Sequence, residues 1–286
     1  MVTFNGKEVT RVALDAIFAS RTSYSYEVVV VDNNSQDGVR EMVEKEYPAV
    51  TLIKNPDNRG FGKGNNQGIK VAKGDYVLLL NTDTKVAPDT FQVMVDFMKA
   101  RPDVGIGTCK LVKPNGELDW ACRRSFPDPA VAFYRLSGLS KIFKGSKRLA
   151  AYNLTNKSID EETEVDSCSG AFALISRACL DKIKGFDEDY FMYGEDLDLC
   201  YRAQQAGFKV WYYPKTTTIH FRGQSSRRVA KQSLWAFHDA MWIFYKKHLY
   251  RKYNPLFSAL VYVGIWARYY QKSLFNAFRR EKFVSR

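Results

Sequence analysis

Val28-Val29-Val30-Val31-Asp32-Asn33-Asn34-Ser35 is an unbroken β-branched run that ends on a carboxylate and a polar turn, and its reading decides the fold. Four consecutive valines show no alternation, the pattern of a strand buried on both faces of a layered sheet. Ser35 reads as the N-cap of a helix to about residue 46, and residues 50–54 form a second strand. Asn58-Arg59-Gly60-Phe61-Gly62-Lys63-Gly64-Asn65-Asn66-Gln67-Gly68 leads into a short helix ending near Gly74. Residues 76–80 make a third apolar strand, and Pro88 opens the next helix, since proline is favoured in a first turn. Strands alternating with helices predict an α/β fold with a mostly parallel sheet flanked by helices. Ligands of such sheets bind beyond the carboxyl ends of the strands, which directs attention to the residues just after Val31 and Leu80.

The second half is less regular. Pro114-Asn115-Gly116 is a turn between strands at 104–112 and 118–123, and residues 124–164 are basic and aromatic without a clear period. Strands are expected near 165–168 and 172–175, helices at about 176–183 and 194–206, and final strands at 209–213 and 216–221. Beyond Arg227 the chain reads as helical and aromatic, so residues 1–225 form one unit and 226–286 a helical basic extension.

Composition bounds the function classes. With 45% hydrophobic residues in 286, the chain builds a core and is not a disordered binder. Five cysteines without a Cys-x-x-Cys pair fit a reducing compartment and offer neither a disulfide frame nor a zinc site. Met1-Val2-Thr3-Phe4-Asn5-Gly6 has no basic-then-apolar leader pattern, so a cytoplasmic location is expected and the Asn153-Leu154-Thr155 triplet is not expected to be glycosylated. Residues 222–286 hold 14 Lys/Arg against Asp239 and Glu281, whereas the remainder holds 29 basic and 29 acidic residues. All the net charge of +12 therefore lies in the extension.

Several polar residues stand where chemistry is expected. Asp32 ends its strand, and with Ser35 assigned to the cap its carboxylate is free to accept from a ribose hydroxyl or a base N–H. Asp83, in Asn81-Thr82-Asp83, follows a strand in the same way and is too far from Pro88 to cap that helix, so it suits a hard cation such as Mg²⁺ or Mn²⁺. His220 sits with Thr216 and Thr218 on the polar face of an alternating strand, while His238 and His248 in the extension read as structural or interfacial. Glu195-Asp196-Leu197-Asp198 opens a helix, where acids favour the positive dipole end. Asp198 precedes Arg202 by four and reads as a surface pair. Asp196 shares a stripe with Cys200, Ala203 and Gly207, and a carboxylate beside such a packed stripe is suited to act as a general base. The 58–68 stretch lacks a Gly-Lys-Ser/Thr ending and is not a P-loop; its glycines permit tight turns or close backbone approach to a ligand.

Taken in order, these pieces resemble family 2 of the glycosyltransferases, especially its bacterial rhamnosyltransferase-like members, over about residues 1–225. The residues carrying the likeness are Val2-Thr3-Phe4-Asn5, Val30-Val31-Asp32-Asn33-Asn34-Ser35, Asn58-Arg59-Gly60-Phe61-Gly62, Leu79-Leu80-Asn81-Thr82-Asp83, Ser169-Gly170-Ala171-Phe172, Gly185-Phe186-Asp187-Glu188, Gly194-Glu195-Asp196-Leu197-Asp198-Leu199-Cys200-Tyr201-Arg202 and His220 after Tyr213-Pro214. The resemblance implies a GT-A, Rossmann-like fold and an inverting transfer of a sugar from a nucleotide-sugar donor. It implies that Thr3, Asn5, Asp32, Asn34, Gly60, Asn65, Asn81 and Asp83 serve the donor, with Arg222 and Ser225 touching its diphosphate. Asp83 and His220 would hold Mg²⁺ or Mn²⁺, Asp196 would be the base, and Ser169, Gly170 and Glu195 would shape the acceptor site. Asn81 stands where many members have aspartate, a form familiar among rhamnosyltransferase-like members. The chain also opens inside the family's first strand, so an upstream start or a shortened edge of the nucleotide site is expected. The donor expected first is dTDP-rhamnose, with UDP-sugars as the alternative, and the acceptor is a lipid-linked saccharide of cell-surface polysaccharide synthesis.

Residues 253–267 are uncharged, but at 15 they are too few to span a bilayer, which needs ~20. Lys/Arg interleaved with Trp235, Trp242, Phe244, Tyr245, Trp266, Tyr269 and Phe275 over 228–286 instead suggests helices at the anionic inner face of the cell membrane, or packing on the chain's own domain or a further subunit, as in a homo-oligomer. A nucleic-acid partner, suggested by pI ≈ 9.4, is disfavoured because Asp32, Asp83 and Asp196 would repel phosphate without a cation. The remaining alternative is a non-catalytic, transferase-like assembly partner.

Overall fold

In the computed structural model, β1 (Val2–Thr3), β2 (Val29–Asp32) and β3 (Thr51–Lys54) form a parallel sheet with β2 in the centre. The register sets Thr3 opposite Asp32 and Asp32 opposite Lys54, so their carboxyl ends share one edge. Residues 1–126, 154, 157–221 and 230–277 are described. Helices α1 (Lys7–Phe18), α2 (Val39–Glu46) and α3 (Phe61–Val71) accompany these strands, and α3 lies close enough to β1 that a Cβ on Gly64 would meet Val2 at 3.0 Å.

β4 (Tyr76–Leu80), β5 (Thr84–Val86), helix α4 (Thr90–Ala100), β6 (Val104–Val112), β7 (Thr163–Glu164), β8 (Phe172–Ser176), helices α5 (Arg177–Ile183) and α6 (Glu195–Gln205), and β9 (Lys209–His220) come next along the chain. Their sheet runs β4-β8-β6-β9-β5, with β7 added on β9. Only β6 and β9 pair in parallel; β4–β8, β6–β8, β5–β9 and β7–β9 are antiparallel. The sheet architecture is therefore mixed, and the expected mostly parallel arrangement is corrected: an apolar strand buried on both faces carries no record of its direction. Val30, Leu79, Met94, Ile106, Phe172, Ile175 and Leu199 belong to one buried core that joins both sheets and their helices.

Three local expectations change. Ser35 does not cap α2, which starts after Gly38; instead the Asp37 carboxylate accepts from Val39 N–H and Lys7 N–H. The final strand is one 12-residue element, because a register shift after the Cys109–Tyr213 pair absorbs Pro214, which has no N–H to give the ladder. Residues 118–123 form an isolated bridge and a single 3₁₀ turn (Trp120–Cys122) in place of a strand. All five cysteines are free and buried.

The extension is helical: α7 (Ala230–Phe244), a π-helical turn (Tyr245–Leu249), a 3₁₀ turn (Tyr250–Lys252) and α8 (Pro255–Ala277). Tyr190, Ala240, Phe244, Tyr245 and Leu249 make a second buried cluster that seats it on the loop before α6. Among the described residues no helix is long and apolar enough to cross a membrane.

Candidate active site

At the edge of the first sheet, Thr3, Asn5, Asp32 and Asn34 come together. Asn5 N–H donates to Ser35 Oγ (2.8 Å), and Asn5 Oδ1 accepts from Gln36 N–H (2.7 Å). Asn5 and Asn34 both have positive φ, 51° and 66°, a conformation that asparagine tolerates better than most residues. Asp32 is not free, contrary to the sequence reading. It is fully buried, accepts from Ser35 N–H and pairs with Arg40 Nε at 2.5 Å, while Arg40 Nη2 donates to Asn55 O. Burying a carboxylate requires such a partner, and Arg40 reaches back from α2 to supply it. Thr3 is also buried, its hydroxyl 3.1 Å from that of Thr10.

The loop after β3 is seated on the second half of the chain. Gly60 has φ 82°, and a Cβ there would lie 2.4 Å from Phe191 O, so only glycine fits. Asn33 Nδ2 donates to Gly60 O (2.9 Å) and Asn65 Nδ2 to Phe61 O (3.0 Å), so Gly60 and Asn65 make internal contacts. A groove of about 480 Å³ lined by Asp57, Asn58, Arg59, Lys63, Glu188 and Phe191 runs beside this loop, and Asp83, Asp196 and His220 do not line it.

At the second sheet, β5 and β9 are in register with Thr84 opposite His220, which brings Asp83 beside the imidazole. His220 Nε2 lies 3.3 Å from Asp83 Oδ1, and its Nδ1 lies 2.8 Å from Oδ2 of the fully buried Asp119. Burial alone would lower the His220 pKa, but hydrogen bonds to Asp119 and Asp83 outweigh it and push it up to about 9. Among the described residues, no group of three or more His, Cys, Asp or Glu side chains is arranged to hold a metal ion. The pair Asp83 and His220 nevertheless fits a cation that takes its other ligands from a diphosphate. Asp119 backs the far ring nitrogen, as carboxylates back metal-ligating histidines, and the buried Asn81 Oδ1 has no hydrogen-bond partner. Arg222 and Ser225 lie outside the described residues.

Asp196 stands in the first turn of α6. Its Oδ2 is 2.7 Å from Arg124 Nη2, which also donates to Cys168 O (2.9 Å). A Cβ on Gly170 would sit 3.9 Å from the Asp196 Cβ, and Ser169 Oγ accepts from Ala171 N–H. Glu195 is buried, its Oε2 has no partner, and burial followed by the charge of Asp196 pushes its carboxyl up to about 8. Asp198 is not on the surface: it is fully buried between Arg202 (2.6 Å) and His248 (2.7 Å).

One short segment joins these clusters. Gly170 packs against Asp196 and the Phe61 ring, and the next residue, Ala171, accepts from Asn81 N–H at 3.1 Å. The residues missed in the sequence are Arg40, Asp119 and Arg124; His248, read as structural or interfacial, lies against Asp198. Arg124 lay in a segment without periodicity, and no local spacing marks Asp119 as the partner of a histidine 101 positions later.

The family described as Glycosyltransferase like family 2 matches residues 1–236. The chain is 27% identical over 228 residues to the N-acetylglucosaminyl-diphospho-decaprenol L-rhamnosyltransferase of Mycobacterium tuberculosis, covering 76% of this chain and 73% of the relative. It is 27% identical over 212 residues to the rhamnosyltransferase WbbL of Escherichia coli K12, covering 71% and 75%. Among solved structures, the mannosyltransferase PcManGT of Pyrobaculum calidifontis, in complex with GDP-Man and Mn²⁺, is similar at TM-score 0.58 and 19% identity, over 93% of this chain and 67% of that one. Residues 1–349 of TarS from S. aureus are similar at TM-score 0.58 and 16% identity, over 97% and 72%. With the family matched over most of its length and the GT-A fold shared, this chain belongs to family 2 of the glycosyltransferases.

Proposed function

We propose that the chain is an inverting glycosyltransferase that moves rhamnose from dTDP-rhamnose to a hydroxyl of a lipid-diphosphate-linked saccharide in cell-surface polysaccharide synthesis. The observation that supports this reading is the series of contacts from Asp196 through Gly170 and Ala171 to Asn81, two residues before Asp83 of the Asp83–His220 pair. The names of the relatives from M. tuberculosis and E. coli support rhamnose and, for the former, a diphospho-lipid acceptor.

Asp196 takes the proton of the acceptor hydroxyl as its oxygen attacks the anomeric carbon from the face opposite the nucleotide. The new C–O bond forms as the bond to the diphosphate breaks, so a single displacement inverts the configuration. Arg124 fixes the Asp196 carboxylate, and Glu195, neutral below about pH 8, keeps a second negative charge away from it. Asn5 and Asn34 hold the nucleoside end, on an edge kept in shape by the buried Thr3 and the buried Asp32–Arg40 pair, and Ser169 and Gly170 shape the acceptor side. A Mg²⁺ or Mn²⁺ ion held by Asp83 and His220 would neutralise the charge growing on the leaving diphosphate.

The extension keeps this site at the inner face of the membrane. Leu256, Leu260, Val263, Tyr270 and Leu274 are exposed along one side of α8 at spacings of three, four and seven. The only charges in α8 are Arg268 and Lys272, and a segment with 14 basic residues complements an anionic lipid surface, whereas a second copy of it would repel. The deciding experiment is transfer by the full chain from dTDP-rhamnose, with UDP- and GDP-sugars as comparison arms, to a detergent-soluble prenyl-diphosphate N-acetylglucosamine. Product with the dTDP donor is expected; product only with another donor overturns rhamnose, and none with any donor overturns the enzyme.

A further inference from the structure

The extension does more than lie on the catalytic domain: it grips the one segment that precedes Asp196. Tyr193 has φ 71° and Gly194 has φ 76°, so α6 is entered through two successive left-handed residues. This is a strained backbone for a tyrosine, and such strain persists only where the surroundings over-determine it. Those surroundings come from α7 and the π-helical turn. Phe237 packs edge-on against Tyr193, with ring centres 5.8 Å apart. A Cβ on Gly194 would sit 3.1 Å from that of Ala240, so the loop backbone touches α7 directly.

Two consecutive residues of the π-helical turn then reach the loop and the helix it leads to. Lys247 Nζ is bonded to Asp187 and, at 2.6 Å, to Asp189, both in the loop leading to Tyr193. His248 Nε2 lies 2.7 Å from Oδ1 of Asp198, and its ring centre lies 4.3 Å from that of Tyr201. Asp198 is in the same helical turn as Asp196, so His248 fixes the rotation of the turn that carries the base. Its other oxygen is held by Arg202, whose remaining nitrogens donate to Ile183 O and Gly185 O. The loop's opposite side is fixed too, by Phe191 O against Gly60 and by Asn66 Nδ2 donating to Phe186 O. π-helical turns recur at functional sites.

Resting on the reading of Asp196 as the base, we propose that Lys247 and His248 are positioning residues of the transfer reaction, fixing loop 187–194 and the first turn of α6 against the acceptor. The extension is then part of the acceptor half of the site and reaches the donor half through the contact of Phe191 with Gly60 and Phe61. A surface helix that only packs would contribute stability without distinguishing the two substrates.

The test uses the full chain with His248→Ala, His248→Gln and Lys247→Ala, dTDP-rhamnose and the prenyl-diphosphate N-acetylglucosamine above, and hydrogen exchange of both halves. His248→Ala is expected to lower kcat about tenfold or more and to raise the acceptor KM, with the donor KM within about twofold. Glutamine keeps a donor for Asp198 and is expected to restore most of kcat. Exchange is expected to quicken across 187–200 in His248→Ala and Lys247→Ala and to stay unchanged across 1–54, which makes no contact with that loop among the described pairs. Equal losses for donor and acceptor, or unchanged exchange at 187–200, would overturn the proposal. If His248→Ala does not fold, Lys247→Ala decides, since its pair is partly exposed. If the wild-type chain transfers nothing, the transferase reading falls by itself and the exchange data still decide whether the clamp exists.

Discussion

Arg124 Nη2 lies 2.7 Å from Asp196 Oδ2, a pair formed across 72 residues and held by the backbone on one side: Arg124 and Ser167 exchange both N–H···O bonds of an antiparallel bridge. The guanidinium is thus aimed at the start of α6 by the chain's own backbone. Arg124→Ala is expected to lower transfer about tenfold to a hundredfold through misplacement of the carboxylate and to cost about 1.5–3 kcal/mol of stability. Arg124→Lys keeps the charge but not the fork to Cys168 O, and is expected to recover stability more than rate. Steady-state kinetics and urea unfolding check both; a wild-type kcat in Arg124→Ala rejects the positioning.

Asp196→Asn is expected to cut transfer by ~10²–10⁴ while leaving nucleotide-sugar affinity nearly unchanged. Titration calorimetry against dTDP-rhamnose beside a transfer assay separates the two. Transfer at a near wild-type rate would remove Asp196 from the mechanism.

Glu195 shapes the pH profile of stability. Its native pKa of about 8 lies above the unfolded carboxyl's 4.5, so between these values the native state holds more protons than the unfolded one. Stability therefore falls as pH rises from about 4.5 through about 8, and this contribution is fully favourable only below that window. Glu195→Gln is expected to flatten the decline of Tm between about pH 5 and 8. An unchanged slope would place the proton elsewhere.

His220→Ala and chelation by EDTA are expected to act alike, each weakening nucleotide-diphosphate binding and transfer, without additive loss when combined. Thermal shift with dTDP and Mn²⁺ gives the readout. A Mn²⁺-dependent shift that survives His220→Ala intact would move the cation away from the Asp83–His220 pair.

Leu260→Glu together with Val263→Glu is expected to abolish flotation with vesicles containing anionic lipid while leaving Tm within a few degrees, because Leu260 and Val263 are exposed at 63% and 61%. Flotation equal to that of wild type would end the role of this helix face.

What the sequence made legible was what local periodicity records. The strand at Val104–Val112 and the helices opening at 194–195 and near Pro88 fell close to where the residues placed them. Direction was not recorded, since β8 is as apolar on both faces as a parallel strand would be. Pairings across long separations were also hidden. Asp198 and Arg202 obey helix spacing and looked like a surface pair, but His248, 50 residues on, covers them. Asp32 looked free because its partner, Arg40, lies on the next helix and not in the turn beside it. In the candidate site, Gly170 packs against Asp196 and the Phe61 ring while Ala171 O accepts from Asn81 N–H, contacts that no motif spells out.

The turn at Tyr245–Leu249 sets the phase of everything after it. A π-helical turn accommodates one more residue than ordinary α winding, so removing a single residue there would rotate the following chain by about 100° relative to α7. The bare face of α8, the ion pairs of Lys247 and the hydrogen bond of His248 are therefore locked to one chain length. Insertions and deletions at this turn would misdirect the lipid-facing side and the base-bearing helix together, a joint failure that substitutions elsewhere in the extension would not produce.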